Sequence, residues 1–140
     1  MPYLSFEDIL QIHSFIIDET GGSHGLRDRG ALLATAALPA QVAFGKEFYP
    51  TIFLKAAVYI RNIISAHPFI DGNKRTAMTV AAVFLEDHGY VSVAKEGEIE
   101  AFALSIVEEK LDTEAIAFWL KQHTKKSVVH HRKLAKGEEK

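Results

Sequence analysis

Phe6, Ile9, Leu10, Ile16 and Ile17, with His13 among them, recur at helical spacing along one face, and the stripe ends before Gly21-Gly22. Ser5 followed three residues later by Asp8 resembles a capping box with Asp in place of Glu. Asp28 caps a second, short helix carrying Leu32, Leu33 and Ala36, which Pro39 stops. Residues 40–49 mix Val42, Phe44, Phe48 and Tyr49 with Gly45, and read as a short extended flap or hairpin. From Thr51 to Ala66 the chain is apolar on almost every side, and its length favours a buried helix over a strand. A second such run extends from about Asn73 to His88, with Gly89 as its stop. Helices apolar all round belong at the centre of a bundle. Tyr90 to Val93 predicts a short strand. Ile99, Phe102, Ile106 and Val107 mark an amphipathic helix, and Asp112 caps a last one carrying Ile116, Trp119 and Leu120. The pattern predicts an all-α bundle of roughly six helices with a small β flap or hairpin.

Composition narrows the class. At 140 residues the chain is one domain, large enough to bury a core without staples. It has no cysteine, which excludes a disulfide framework, thiolate chemistry and Cys-ligated zinc. The first residues show no basic region followed by an apolar run, so no signal peptide is expected. The longest apolar stretches carry Lys55, Arg61 or Asn62, and none reads as membrane-spanning. A cytoplasmic location is the expectation. The net charge of −2 divides into −5 over residues 1–125 and +3 over residues 126–140. An acidic body argues against direct nucleic-acid binding, which needs a basic face. Residues 1–125 are expected to form the catalytic domain, and residues 126–140 a basic, flexible tail.

The chemistry lies between the two apolar helices, in His67-Pro-Phe-Ile-Asp-Gly-Asn-Lys-Arg75. A helix starting at Asn73 presents unpaired N–H groups and partial positive charge to an anion. Gly72 permits close approach or positive φ. Asn73 is a good N-cap residue. Lys74 and Arg75 place two cations in a first turn whose dipole prefers carboxylates, so an anion is expected to offset them. Asp71 is a hard oxygen ligand suited to a Mg²⁺ that also binds phosphate. His67 has the side chain suited to general-base work. Phe69 is expected to plug into the core and fix the loop.

These nine residues match the signature of the Fic/Doc family, His-x-Phe-x-(Asp/Glu/Asn)-(Gly/Ala)-Asn-(Gly/Lys)-Arg, so the chain resembles that family over roughly residues 3–123. Gly25-Leu-Arg-Asp28 before Leu32-Leu33, and the Thr76–Leu85 run ending in Gly89-Tyr90, resemble its death-on-curing (Doc) toxin branch. Enzymes of the family that transfer AMP usually have Gly where Lys74 stands and a second Arg where Met78 stands. The resemblance implies a toxin that uses ATP and Mg²⁺ to phosphorylate a threonine of elongation factor Tu, held in check by a separate antitoxin. It implies His67 as the base, Asp71 as the metal ligand, and Gly72, Asn73, Lys74 and Arg75 as the phosphate-binding set, with residues 40–49 at the place of the family's target-positioning flap. Two alternatives stay open: transfer of AMP or another nucleoside monophosphate, and a catalytically idle binding module.

Other features carry less. Ser92 to Gly97 fits an inhibitory pattern of some family members, but its Val and Gly residues argue for a strand and turn. His13 reads as a packed core residue, Arg27 and Asp28 as organisers of the loop entering the second helix with a substrate role as the alternative, and His130-His131 as too few ligands for a metal site.

Overall fold

The computed structural model describes residues 2–127. Six α-helices account for most of them: α1 (Phe6–Thr20), α2 (Arg29–Ala37), α3 (Ile52–Ala66), α4 (Asn73–Asp87), α5 (Glu96–Glu108) and α6 (Thr113–Gln122). Two small antiparallel pairs complete the fold, β1 (Val42–Ala43) with β2 (Lys46–Glu47), and β3 (Tyr90–Ser92) with β4 (Thr124–Lys126). Helical ends follow local chemistry. Ser5 and Asp8 form the reciprocal capping box at α1, while Asp28, Thr51 and Asp112 each accept a backbone N–H at the starts of α2, α3 and α6. Pro39 ends α2 by converting its last residues to a 3₁₀ turn, Leu38–Ala40.

The all-round apolar helices take the centre. Residues 55–60 of α3 are all buried, along with Ile63 and Ile64, and the helix packs against α4, α6 and α2. On α4, Ala77, Val80, Ala81 and Phe84 are fully enclosed and face both α3 and α1. Burial of a side chain such as Phe84 or Ile60 contributes roughly 1.5–3 kcal/mol, so this α3–α4 seam dominates the fold's stability. Its connection is the loop of residues 67–72.

Departures from the sequence reading are local. Leu33 and Val107, assigned to buried stripes, are 48% and 47% exposed. Gly97 lies inside the first turn of α5 and not in a turn between strands. Strand β4 was not foreseen: it pairs Lys126 with Tyr90 and Thr124 with Ser92, and so binds the end of α6 to the end of α4. Residues 128–140 of the expected tail lie outside the described residues, as does His130-His131.

Candidate active site

The loop of residues 67–72 starts under strain. His67 ends α3 in the left-handed conformation, φ 49° and ψ 61°, with its N–H closing the last helical turn on Ile63. Its imidazole is exposed and hydrogen-bonded to nothing among the described residues. Gly72 ends the loop at φ +75°, also left-handed, where a Cβ would come within 3.0 Å of Ile17 Cδ1. It is Gly72, and not Asn73, that occupies the N-cap position of α4, and no side chain caps that helix. The first-turn amides of α4 therefore carry no side-chain cap, and a helix start left in this state is the arrangement that attracts phosphate oxygens.

Asn73 has a different task from the capping expected of it. Its amide reaches back across the loop, accepting from the Phe69 N–H at 3.0 Å and donating to the Phe69 carbonyl at 2.9 Å. Both partners are buried, so the side chain serves as an internal brace. A residue preference for helix starts misses this because the side chain bonds back to the loop main chain four residues earlier and not to the first-turn amides.

Phe69 is 1% exposed, and its ring lies flat on that of His13, centroids 3.8 Å apart and planes within 4°. His13 Nε2 lies 2.8 Å from the Asp71 carbonyl oxygen, which can only accept, so this nitrogen carries the proton. Burial pushes the His13 pKa down, outweighing the upward pull of that hydrogen bond, and keeps the ring neutral near pH 7. The core histidine of α1 thus supports the loop from beneath. Its place on an apolar stripe was legible; its partner was not.

A second support comes from residues 22–28. Arg27 and Asp28 both donate backbone N–H groups to the Pro68 carbonyl, at 2.7 and 3.0 Å, and Ile70 donates to Gly25. The Arg27 guanidinium donates to the carbonyls of His67 (2.6 Å) and Ala66 (2.5 Å). Arg27 was expected to order its own loop; the same contacts tie that loop to this one, and its guanidinium reaches the carbonyls of residues 66 and 67. Asp71 is half-buried, with one carboxylate oxygen accepting from Gly72 N–H at 2.9 Å and the other from Ser23 N–H at 3.2 Å. Gly22 makes that approach possible, since a Cβ there would stand 2.6 Å from Asp71 Oδ2.

The two cations diverge. Arg75 folds back to the end of α1, donating to Thr20 Oγ1 and, at 3.3 Å, to the Gly21 carbonyl. Lys74 is exposed and makes no ion pair among the described residues. Met78, one turn further on, faces away, into an apolar groove of about 160 Å³ that it lines with Trp119 and Thr124. The hairpin β1–β2 lies at the opposite end of α3 from His67. Its base is gripped by the buried Lys55 ammonium, which donates to Glu47, Tyr49 O and Pro39 O. His67 lies twelve residue steps beyond Lys55, about 18 Å along the helix axis. Ser92 and Glu96 sit at the end of β3 and the start of α5.

Backbone groups from residue 66 to residue 72 are thus held by α1, the 22–28 segment and Asn73, leaving His67 and Lys74 exposed and the start of α4 without a side-chain cap. A model of the Fic/DOC family matches residues 3–85, a span that includes this loop and all of its supports. Over 98 residues the chain is 36% identical to Toxin Doc of Mycolicibacterium smegmatis, covering 70% of this chain and 72% of that protein. Over 123 residues it is 28% identical to Protein kinase doc of Escherichia phage P1, covering 87% and 95% respectively. The chain belongs to the Fic/Doc family, in its death-on-curing (Doc) branch.

Proposed function

We propose that the protein is a Doc-type toxin that transfers the γ-phosphate of ATP to a Ser or Thr hydroxyl of a translation factor, elongation factor Tu, in the cytoplasm, and that a separate antitoxin chain restrains it. The observation that carries this reading is the start of α4, which no side chain caps and whose first turn carries the exposed Lys74, joined to the exposed His67 by the braced loop of residues 67–72. In this reading Gly72, Asn73, Lys74 and Arg75 form the phosphate-binding segment. Lys74 and the α4 amides hold the phosphates, with the Arg75 guanidinium beside Gly72 adding charge. His67 takes the proton from the acceptor hydroxyl as that oxygen attacks the γ-phosphorus. The bond from the γ-phosphorus to the β–γ bridging oxygen breaks, and ADP leaves.

The donor set at the loop fits Mg²⁺. Asp71 is held in place by two backbone N–H groups, and each of its oxygens retains lone pairs for a cation. Among the described residues no group of three or more His, Asp or Glu converges to make an all-protein cage. One carboxylate completed by phosphate oxygens and water is the usual Mg²⁺ arrangement, and a bound ion would supply charge neutralisation to the phosphates.

Transfer of AMP or another nucleoside monophosphate is the second reading, since the loop itself does not set which phosphorus is attacked. Met78 disfavours it: at the position of the expected second arginine, an apolar side chain turns into an apolar groove. An idle binding module is the third, disfavoured by the completeness of the loop. The test incubates the purified chain with Mg²⁺, elongation factor Tu and ATP labelled at the α- or the γ-phosphate. Label arriving from γ alone supports the proposal, label from α supports nucleotide transfer, and no label from either overturns the named acceptor. His67→Ala must abolish transfer; residual full activity would refute the base assignment.

A further inference from the structure

We infer that Arg27 is a positioning residue for His67, its guanidinium setting the backbone geometry from which the imidazole projects. The inference rests on the reading of His67 as the base. Its foundation is geometric. His67 is one of three residues other than glycine with positive φ among those described, and it holds that conformation at the junction of α3 and the loop. Such a conformation persists only where the surroundings over-determine it.

Arg27 supplies that constraint. Nη2 donates to the Ala66 carbonyl and Nε to the His67 carbonyl, so a single edge of the guanidinium grips the peptide groups on both sides of the His67 Cα. The backbone N–H of the same residue donates to Pro68 O at 2.7 Å, so three successive carbonyls answer to Arg27. The rigid planar fork matters here, because a lysine ammonium is a point donor on a flexible stem and cannot fix two carbonyl directions at once. Arg27 is exposed and makes no ion pair among the described residues. An exposed arginine ordered solely on main-chain carbonyls accomplishes little besides holding them.

Cationic capping of the α3 carboxyl end would also follow from this contact. Two roles therefore need separating: general stability, and aim of the imidazole. They differ in what they move. Arg27 donates at the α3 side of the loop, whereas the phosphate segment starts at Gly72, so aim affects the chemical step and leaves nucleotide affinity alone. A misplacement of a reacting group by about 1 Å reduces rate on the order of 10²-fold.

The test compares Arg27→Ala and Arg27→Lys with the wild type at a temperature where all are folded. Kinetics with elongation factor Tu, calorimetry with Mg²⁺·ATP, and the NMR coupling constant that reports φ at His67 are measured on each. The expected result is a kcat lowered by about 10–100-fold in Arg27→Ala, with ATP affinity unchanged and the His67 coupling shifted away from its positive-φ value. Arg27→Lys keeps the charge but loses the fork, and should resemble Arg27→Ala more than the wild type. Unchanged kcat in the folded variants, or a fall in ATP affinity that matches the fall in kcat, overturns the inference. Should the wild type transfer nothing, the proposed function fails instead. The His67 coupling then decides alone: an unshifted value refutes the positioning role and a shifted one upholds it.

Discussion

Replacing Asn73 with Ala removes two hydrogen bonds from the loop at once. The Phe69 N–H and carbonyl, each bonded to the Asn73 amide at 3.0 and 2.9 Å, would remain buried with no replacement partner. An orphaned buried polar group costs about 1–3 kcal/mol, so the pair costs roughly 2–6 kcal/mol. Alanine's better helix propensity returns about 0.5 kcal/mol. The net loss, roughly 2–5 kcal/mol, leaves a domain of ordinary stability folded but weakened. At this chain length each kcal/mol moves Tm by about 3 °C, so a fall of roughly 6–15 °C is expected. Urea titration checks the free energy directly, with the midpoint lowered and the slope unchanged. Asn73→Asp discriminates further. As an N-cap, Asp would be neutral or stabilising; as a brace it sets a carboxylate oxygen against the Phe69 carbonyl and must destabilise. A loss under about 0.5 kcal/mol for Ala, or a gain for Asp, would refute the brace.

Three further outcomes follow from the same geometry. Gly22→Ala drives a Cβ into Asp71 Oδ2, whereas Gly21→Ala meets nothing and carries backbone strain alone; the first should lower Mg²⁺-dependent ATP affinity by about tenfold more than the second, measured by calorimetry, and equal affinities would remove Asp71 from the metal's binding set. Lys55→Met leaves the Pro39 and Tyr49 carbonyls without their ammonium and should cost about 2–4 kcal/mol, with hydrogen exchange at the Phe48 amide rising more than at Ile60; uniform exchange would contradict the clamp. Burial pushes the Tyr59 hydroxyl up to about 12 from 10.0. The native state therefore holds this proton more tightly than the unfolded chain, so its contribution is complete below pH 10 and lost as pH rises toward 12. Stability of the wild type should fall by about 2–3 kcal/mol over that window relative to Tyr59→Phe, and parallel pH profiles would contradict the assignment.

How much of this was legible in the chain varies with the range of the interaction. The start of α1 was readable because Ser5 and Asp8 bond within one turn, and the α3–α4 core because its apolar run exceeds any strand's length. The loop itself could be singled out because His67, Asp71, Lys74 and Arg75 are near neighbours in sequence and fall within the matched family span; the roles proposed for them await the transfer assay. Arg27 was not readable as a support for that loop, since its partners are main-chain carbonyls 39 and 40 residues away, and every residue has such a carbonyl. His13 gave half a signal, a polar ring on an apolar stripe, but nothing local names Phe69 or Asp71 as its contacts. Strand β4 consists of Thr-Lys-Lys with no apolar alternation; its pairing is dictated by the open edge of β3. Asn73 was misread although its partner is only four residues away, because a capping preference and a bond back to the Phe69 main chain are both local and compete for the same side chain.

Phosphate binding at the start of α4 is the step on which the proposed transfer depends, and titrating Mg²⁺·ATP into the ¹⁵N-labelled protein while following each amide by NMR reads it residue by residue. The largest shifts should fall on the amides of Asn73, Lys74 and Arg75, with the His67 ring responding and the His13–Phe69 support beneath them scarcely moving. Shifts concentrated in the groove lined by Met78, Trp119 and Thr124, or none at saturating nucleotide, would contradict it.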